Sequence, residues 1–225
     1  MTFEYTVKQS RRKTLALNIK PDCSIEVRAP LTLSQKAIEK FVASHSDWIQ
    51  KNIEKTREIN KMKQSFRLDY GTEACFFGKR VAVIQSDIKK AKLTENGILM
   101  PSGLDSEQIR EKLIKLYKET ARKYIDSRIP FFSQHVGVNP SKTTISSAKT
   151  NWGSCTADRV HFSWHLVMAP AEVIDYVIIH ELVHIIHHNH SENFWSKVAQ
   201  HCPNYKELRF KLKEYSEILA NENWY

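Results

Sequence analysis

Residues 173–195 read VIDYVIIHELVHIIHHNHSENFW, and this stretch decides how the rest of the chain is read. Five of the ten histidines crowd into it, at 180, 184, 187, 188 and 190. Its first part is apolar enough for a buried helix, but Asp175, His180, Glu181 and His184 interrupt the run, so it is no membrane span. His180-Glu181-Leu182-Val183-His184 forms an H-E-x-x-H pattern within that helical context.

The spacing has a mechanical meaning. Residues four apart lie one turn apart on the same helix face, so His180 and His184 can reach one ion. Zn²⁺ takes imidazole nitrogens at about 2.0–2.1 Å and in catalytic sites uses three protein ligands plus water. Glu181 is rotated by about 100° around the helix, beside the metal-bound water rather than on the metal. The ion lowers that water's pKa to about 7, and a carboxylate there can take its proton and pass it on. Six residues of unbroken helix would turn His190 away by about 240°, so it can be the third ligand only where the helix stops. Asn189 offers a helix-ending conformation and Ser191 a cap for the next helix, with Glu192 in its first turn. The pair His184 and His188 has the same spacing but carries Ile185 where the base should be.

Working outward, Val160 to Met168 alternates as a strand, Ala171 to His187 is a helix, and 192–199 and 205–220 are helical. Thr143 to Ala148 reads as a further strand. Asp105 to Phe132 is a long amphipathic helix that Pro130 ends or kinks. Upstream, 14–20 and 24–29 form a β-hairpin around Pro21-Asp22-Cys23, and Ser34 caps a helix that Ser44-His45-Ser46 can break. Strands follow at 74–85 and 92–100. Pro101-Ser102-Gly103 marks the boundary between an N-terminal domain, 1–103, and a C-terminal domain, 104–225.

The chain has 225 residues, 41% hydrophobic and 26% charged, which excludes whole-chain disorder and fibrous repeats. The net charge of +9 is uneven: residues 1–103 hold 19 basic and 11 acidic side chains. A basic module can attract nucleic acid or nucleotides, although many basic faces are only solvated surface. No apolar leader follows Met1, and no two of the four cysteines make a C-x-x-C pair. A cytoplasmic protein with reduced thiols and no membrane association is expected.

His180 to Trp195, with Trp152-Gly153-Ser154-Cys155, Asp175-Tyr176-Val177 and Pro203-Asn204-Tyr205, resembles the YgjP-like metallopeptidase family, within the wider SprT and WLM group of zincins. Ser10-Arg11-Arg12-Lys13 and Trp48-Ile49 fit as well. Asn151 and Ser163 depart from the common pattern, which touches substrate contacts rather than the metal site. The resemblance implies an α+β fold with a zincin-like C-terminal metallopeptidase domain behind a small β-rich N-terminal domain with a helix. It implies one Zn²⁺ per chain on His180, His184 and His190, with Glu181 as general base. A zinc-dependent hydrolase acting on polypeptides is then expected. A UTP-type nucleotide pyrophosphatase using the same site, or a protease associated with nucleic acid through residues 1–103, are alternatives. Val160 to Met168 is the expected substrate-pairing edge strand, as in other zincins. Tyr205, His201 and His165 are candidates to stabilise the oxyanion, and Trp152 and Trp164 are read as core aromatics.

Overall fold

A computed structural model describes residues 3–149 and 151–224. The fold is α+β, and contacts divide the chain into two compact units, residues 1–66 with 220–223 and residues 67–219 with 224–225.

In the first unit β1 (Tyr5–Ser10), β2 (Ala16–Ile19) and β3 (Ile25–Pro30) form a sheet with β3 central. β2 and β3 are the expected hairpin, with Ile19 opposite Ile25. Its turn is held by Asp22, whose carboxylate accepts from the Ser24 amide and hydroxyl. β1 runs parallel to β3, a pairing no local pattern announces. Helix α1 (Gln35–Ser44) starts at Ser34, whose hydroxyl accepts from the Ala37 amide. It breaks at His45, as expected, before α2 (Ser46–Ser65). Ile25, Val27, Ala29, Ile38, Val42 and Ile49 are the core between sheet and helices. Trp48, beside Ile49, is 44% exposed.

The second unit begins earlier than Gly103. β4 (Glu73–Phe76) and β5 (Lys79–Ser86) are a hairpin where one continuous strand is expected. Phe77 and Gly78 both take positive φ to make the turn. A Cβ on Gly78 would stand 2.6 Å from Pro170 Cγ, so only glycine fits there. β7 (Gly97–Pro101) runs parallel to β5 and pairs with β6 (Lys92–Thr94), completing a sheet of order β4-β5-β7-β6. This sheet is tied to later elements of its own unit. Tyr117 stacks on Phe76 and donates to the Cys75 carbonyl, and the Phe77 and Gly78 amides donate to Val167 and Met168. Side chains that bridge 73–101 to residues beyond 104 give no periodicity signal, which is why Pro101-Ser102-Gly103 looks like a boundary and the compact units divide at Phe66 and Arg67 instead.

Helix α3 (Ser106–Val136) opens with a capping box between Asp105 and Gln108. It runs through Pro130 and stops only at Gly137, which is left-handed. β8 (Lys142–Ser146), β9 (Gly153–Thr156) and β10 (Arg159–Ser163) form a sheet of order β8-β10-β9. Two expectations change here. β10 stops at Ser163, and Trp164–Met168 is a buried 3₁₀ turn whose His165 amide donates to the Ser163 hydroxyl. β10 is also flanked on both sides, so it has no edge to offer; the edge strands are β8 and β9. Helix α4 (Ala171–Val183) packs its apolar side into the main core with Val160, Phe162 and Phe194, and α5 (Glu192–His201) and α6 (Tyr205–Asn221) follow. Among the described residues no helix is long and apolar enough to cross a membrane.

Candidate metal centre and cleft

The last turn of α4 presents His180 and Glu181, and His184 caps it. The helix ends here, four residues before His187, because the chain tightens: the Ile185 and Ile186 amides bond carbonyls three residues back. The following turn is an Asx arrangement in which Asn189 Oδ1 accepts from the Ser191 amide. Asn189 is not left-handed, and Ser191 holds the N-cap place of α5 without a side-chain cap bond. The turn nevertheless does what the spacing requires and carries the chain back.

His180, His184 and His190 each offer one ring nitrogen, and these atoms lie within 4.8 Å of one another. His180 Nε2 and His190 Nε2 are 3.1 Å apart. Two nitrogens of a tetrahedral zinc sphere at about 2.0–2.1 Å would stand roughly 3.3 Å apart, so this pair fits with almost no movement. The Phe194 ring is fully buried beneath the group, with its centroid 4.9 Å from His180, 4.4 Å from His184 and 4.8 Å from His190. The His184 Nδ1 lies 3.0 Å from the His187 carbonyl, which fixes the ring's orientation and frees the other nitrogen. His187 therefore contributes through its backbone, something no side-chain motif could announce. His188 is exposed.

The electrostatics suit neutral imidazoles, the form that binds metals. Burial, then the neighbouring His184 and His190, push His180 down to about 3. Burial likewise lowers His184. Burial alone pushes Glu181 up to about 8. Glu181 is 5% exposed, and its Oε2 is buried without a hydrogen-bond partner. It lies against the backbone of Gly153 at the start of β9.

A cleft of about 700 Å³ opens beside these groups. Its lining includes Trp152, Gly153, Tyr176, Glu181, Trp195 and Arg209. Trp152 is half-buried and its indole donates to Ser216, so it is a wall of the cleft rather than core, while Trp164 is fully buried. Tyr205, His201 and His165 are absent from that lining. His165 is buried against Trp164, with ring centroids 3.7 Å apart, and Tyr205 stacks on the far partner Trp195. Tyr176 and Arg209 line the cleft instead. Burial raises the Tyr176 hydroxyl to about 12, so it stays a donor. Desolvation, then Glu181, raises the Cys155 thiol, which disfavours a thiolate there. Tyr176 was legible within the Asp175-Tyr176-Val177 element; Arg209 stands in no motif.

No curated protein matches the chain. The family comparison is informative: the YgjP-like metallopeptidase domain matches residues 13–215. That span takes in the three histidines, Glu181, the β9 strand and the cleft-lining Arg209. It is most of the sequence, and the chain thus belongs to the YgjP-like metallopeptidase domain family, a family of metal-dependent hydrolases.

Proposed function

We propose that this protein is a zinc metallopeptidase whose metal is held by His180, His184 and His190, with Glu181 as the proton-handling residue. The observation that carries the reading is the meeting of three imidazoles within 4.8 Å beside a buried glutamate in a cleft. Three imidazole donors suit zinc among the common divalent ions. When bound, the metal would supply Lewis acidity, making a water more acidic and polarising a scissile carbonyl.

The rest is chemistry of the chain. Glu181 takes one proton from the attacking water at a carboxylate oxygen as the water oxygen adds to the carbonyl carbon. It then delivers that proton to the departing amine nitrogen as the C–N bond breaks. The high proton affinity that burial gives Glu181 suits the first task, and its Oε2, buried without a hydrogen-bond partner, is available to receive the proton. The Tyr176 hydroxyl, protonated over the working range, can donate to developing negative charge on the carbonyl oxygen. The open edge of β9 borders Glu181 through Gly153, and an extended peptide pairing there would lie along the cleft. The nucleotide and nucleic-acid alternatives draw no support from the family match or from the cleft.

The test is metal content and turnover together. Wild type should carry about one zinc per chain by elemental analysis and hydrolyse peptides. Glu181→Gln should keep the zinc and lose turnover by several orders of magnitude; His190→Ala should lose both. A fully active Glu181→Gln, or a His190→Ala that retains its zinc, overturns the assignment.

A further inference from the structure

Arg209 lies in α6, twenty-five residues beyond the last histidine of H-E-x-x-H, yet it reaches the same cleft as Glu181. Its guanidinium carbon sits 5.1 Å from the centre of the Trp195 ring. Trp195 is itself fixed: it stacks on Tyr205 at 5.2 Å and on His190 at 5.5 Å. A guanidinium over an aromatic ring keeps its charge and its N–H fork, which matches a carboxylate in two parallel hydrogen bonds. Arg209 pairs with no carboxylate among the described residues. Glu181 is the one acidic residue in the cleft lining, and it faces Gly153. The cleft therefore contains an exposed cation, seated on an aromatic ring, with no counter-ion among the described residues.

We propose that Arg209, on its Trp195 platform, is a specificity-determining residue that binds a carboxylate of the substrate peptide. The inference rests on the peptidase reading above. The shared chemistry is one carboxylate, which a peptide supplies either as an Asp or Glu side chain or as its free C-terminus. A single guanidinium beside neutral Asn151, Trp152 and Tyr176 fits one carboxylate better than a triphosphate, which gathers several cations and backbone amides.

The experiment separates binding from turnover. Full-length, zinc-loaded Glu181→Gln protein is titrated calorimetrically with blocked hexapeptides that differ only as Glu against Gln, and with one peptide as free acid against amide. The acidic member of at least one pair should bind about tenfold more tightly, with the advantage shrinking as salt rises. The pair that shows it identifies side chain or C-terminus. Adding Arg209→Gln should erase the preference, and Arg209→Lys should restore only part of it, since lysine keeps the charge and loses the fork. Equal binding within every pair, no measurable binding of any peptide, a preference that survives Arg209→Gln, or Arg209-dependent binding of UTP stronger than of all peptides overturns the proposal. Wild-type hydrolysis of the same peptides is followed in parallel. Hydrolysis without acid preference sinks the Arg209 assignment alone; Arg209-dependent acid preference without hydrolysis sinks the peptidase reading alone.

Discussion

Gly153 leaves room for Glu181: a Cβ built on Gly153 would stand 2.7 Å from both Cγ and Oε1 of the glutamate. The glycine opens β9, and the glutamate projects from α4. The strand can approach the helix this closely only because position 153 has no side chain. Gly153 is not in a positive-φ conformation, so its requirement is space and not backbone freedom.

Gly153→Ala should accordingly act on Glu181. The carboxylate is 5% exposed and cannot swing into solvent without repacking. Overpacking of this kind costs about 1–3 kcal/mol, and a shift of about 1 Å at a reacting group costs on the order of 100-fold in rate. The expected outcome is a soluble protein with normal zinc content, a modestly lowered Tm and a kcat reduced about 100-fold. An alanine variant with wild-type kcat would show that the glutamate's position does not matter.

Phe194 underlies the three imidazoles, so it should couple stability to metal affinity. The ring is 0% exposed and contacts His180, His184 and His190. Phe194→Ala should cost about 3–5 kcal/mol in urea unfolding and weaken zinc binding by at least about tenfold, as lost support of metal ligands does. Phe194→Leu should recover most of the stability but less of the affinity, because a smaller side chain fills the core without bracing all three rings. If zinc affinity in a competition titration with a chelator is unchanged in Phe194→Ala, the floor is packing alone.

How much of this was readable beforehand follows from the range of each signal. The H-E-x-x-H turn, the third histidine and the long helix from Asp105 depend on spacing within one segment; the ring nitrogens of His180, His184 and His190 lie within 4.8 Å of one another, and the helix runs Ser106–Val136. The hairpin of β2 and β3 is equally local. What escaped depends on meetings between distant segments. β1 pairs with β3 across residues that share no pattern, and Tyr117 reaches back to Cys75 and moves the division between compact units to Phe66. Alternation in 160–168 reports burial, not which neighbour lies alongside, so it does not tell a central strand such as β10 from an edge strand. Arg209 came to the cleft by the packing of α6, which nothing around it in sequence encodes.

The α4 helix has a second anchor that predicts a separable effect. Asp175 accepts from Arg128 Nε at 3.0 Å and Nη2 at 2.7 Å, and from the Tyr124 hydroxyl at 3.1 Å. The three residues join α3 to α4 five residues before His180, and they are only partly buried. Asp175→Asn keeps the shape and loses the charge. It should cost roughly 1.5–3 kcal/mol, the range for hydrogen bonds to charged groups. A double-mutant cycle with Arg128→Met should return a coupling energy of about 1 kcal/mol or more. Additive losses in that cycle would mean the bidentate pair contributes nothing of its own.

His165 and Glu26 predict acid sensitivity in different units and different pH windows. Burial holds the His165 imidazole down at about 4, against an ordinary 6.5, where it stacks on Trp164 and meets the Ser163 hydroxyl at 2.8 Å. The unfolded chain then binds that proton first, so stability falls as pH drops from about 6.5 towards 4. Glu26 works lower down. Hydrogen bonds from Lys8 and Arg28 hold its carboxyl at about 2, against an ordinary 4.5. Its contribution is complete above pH 4.5 and disappears as pH falls through about 2. Urea unfolding at a series of pH values should show the first loss blunted in His165→Gln and the second blunted in Glu26→Gln, each variant being less stable at neutral pH. Amide exchange assigns them: β3 should lose protection in the lower window and the 3₁₀ turn at Trp164–Met168 in the upper one. An unfolding profile whose upper limb is unchanged by His165→Gln would place the acid sensitivity on other groups.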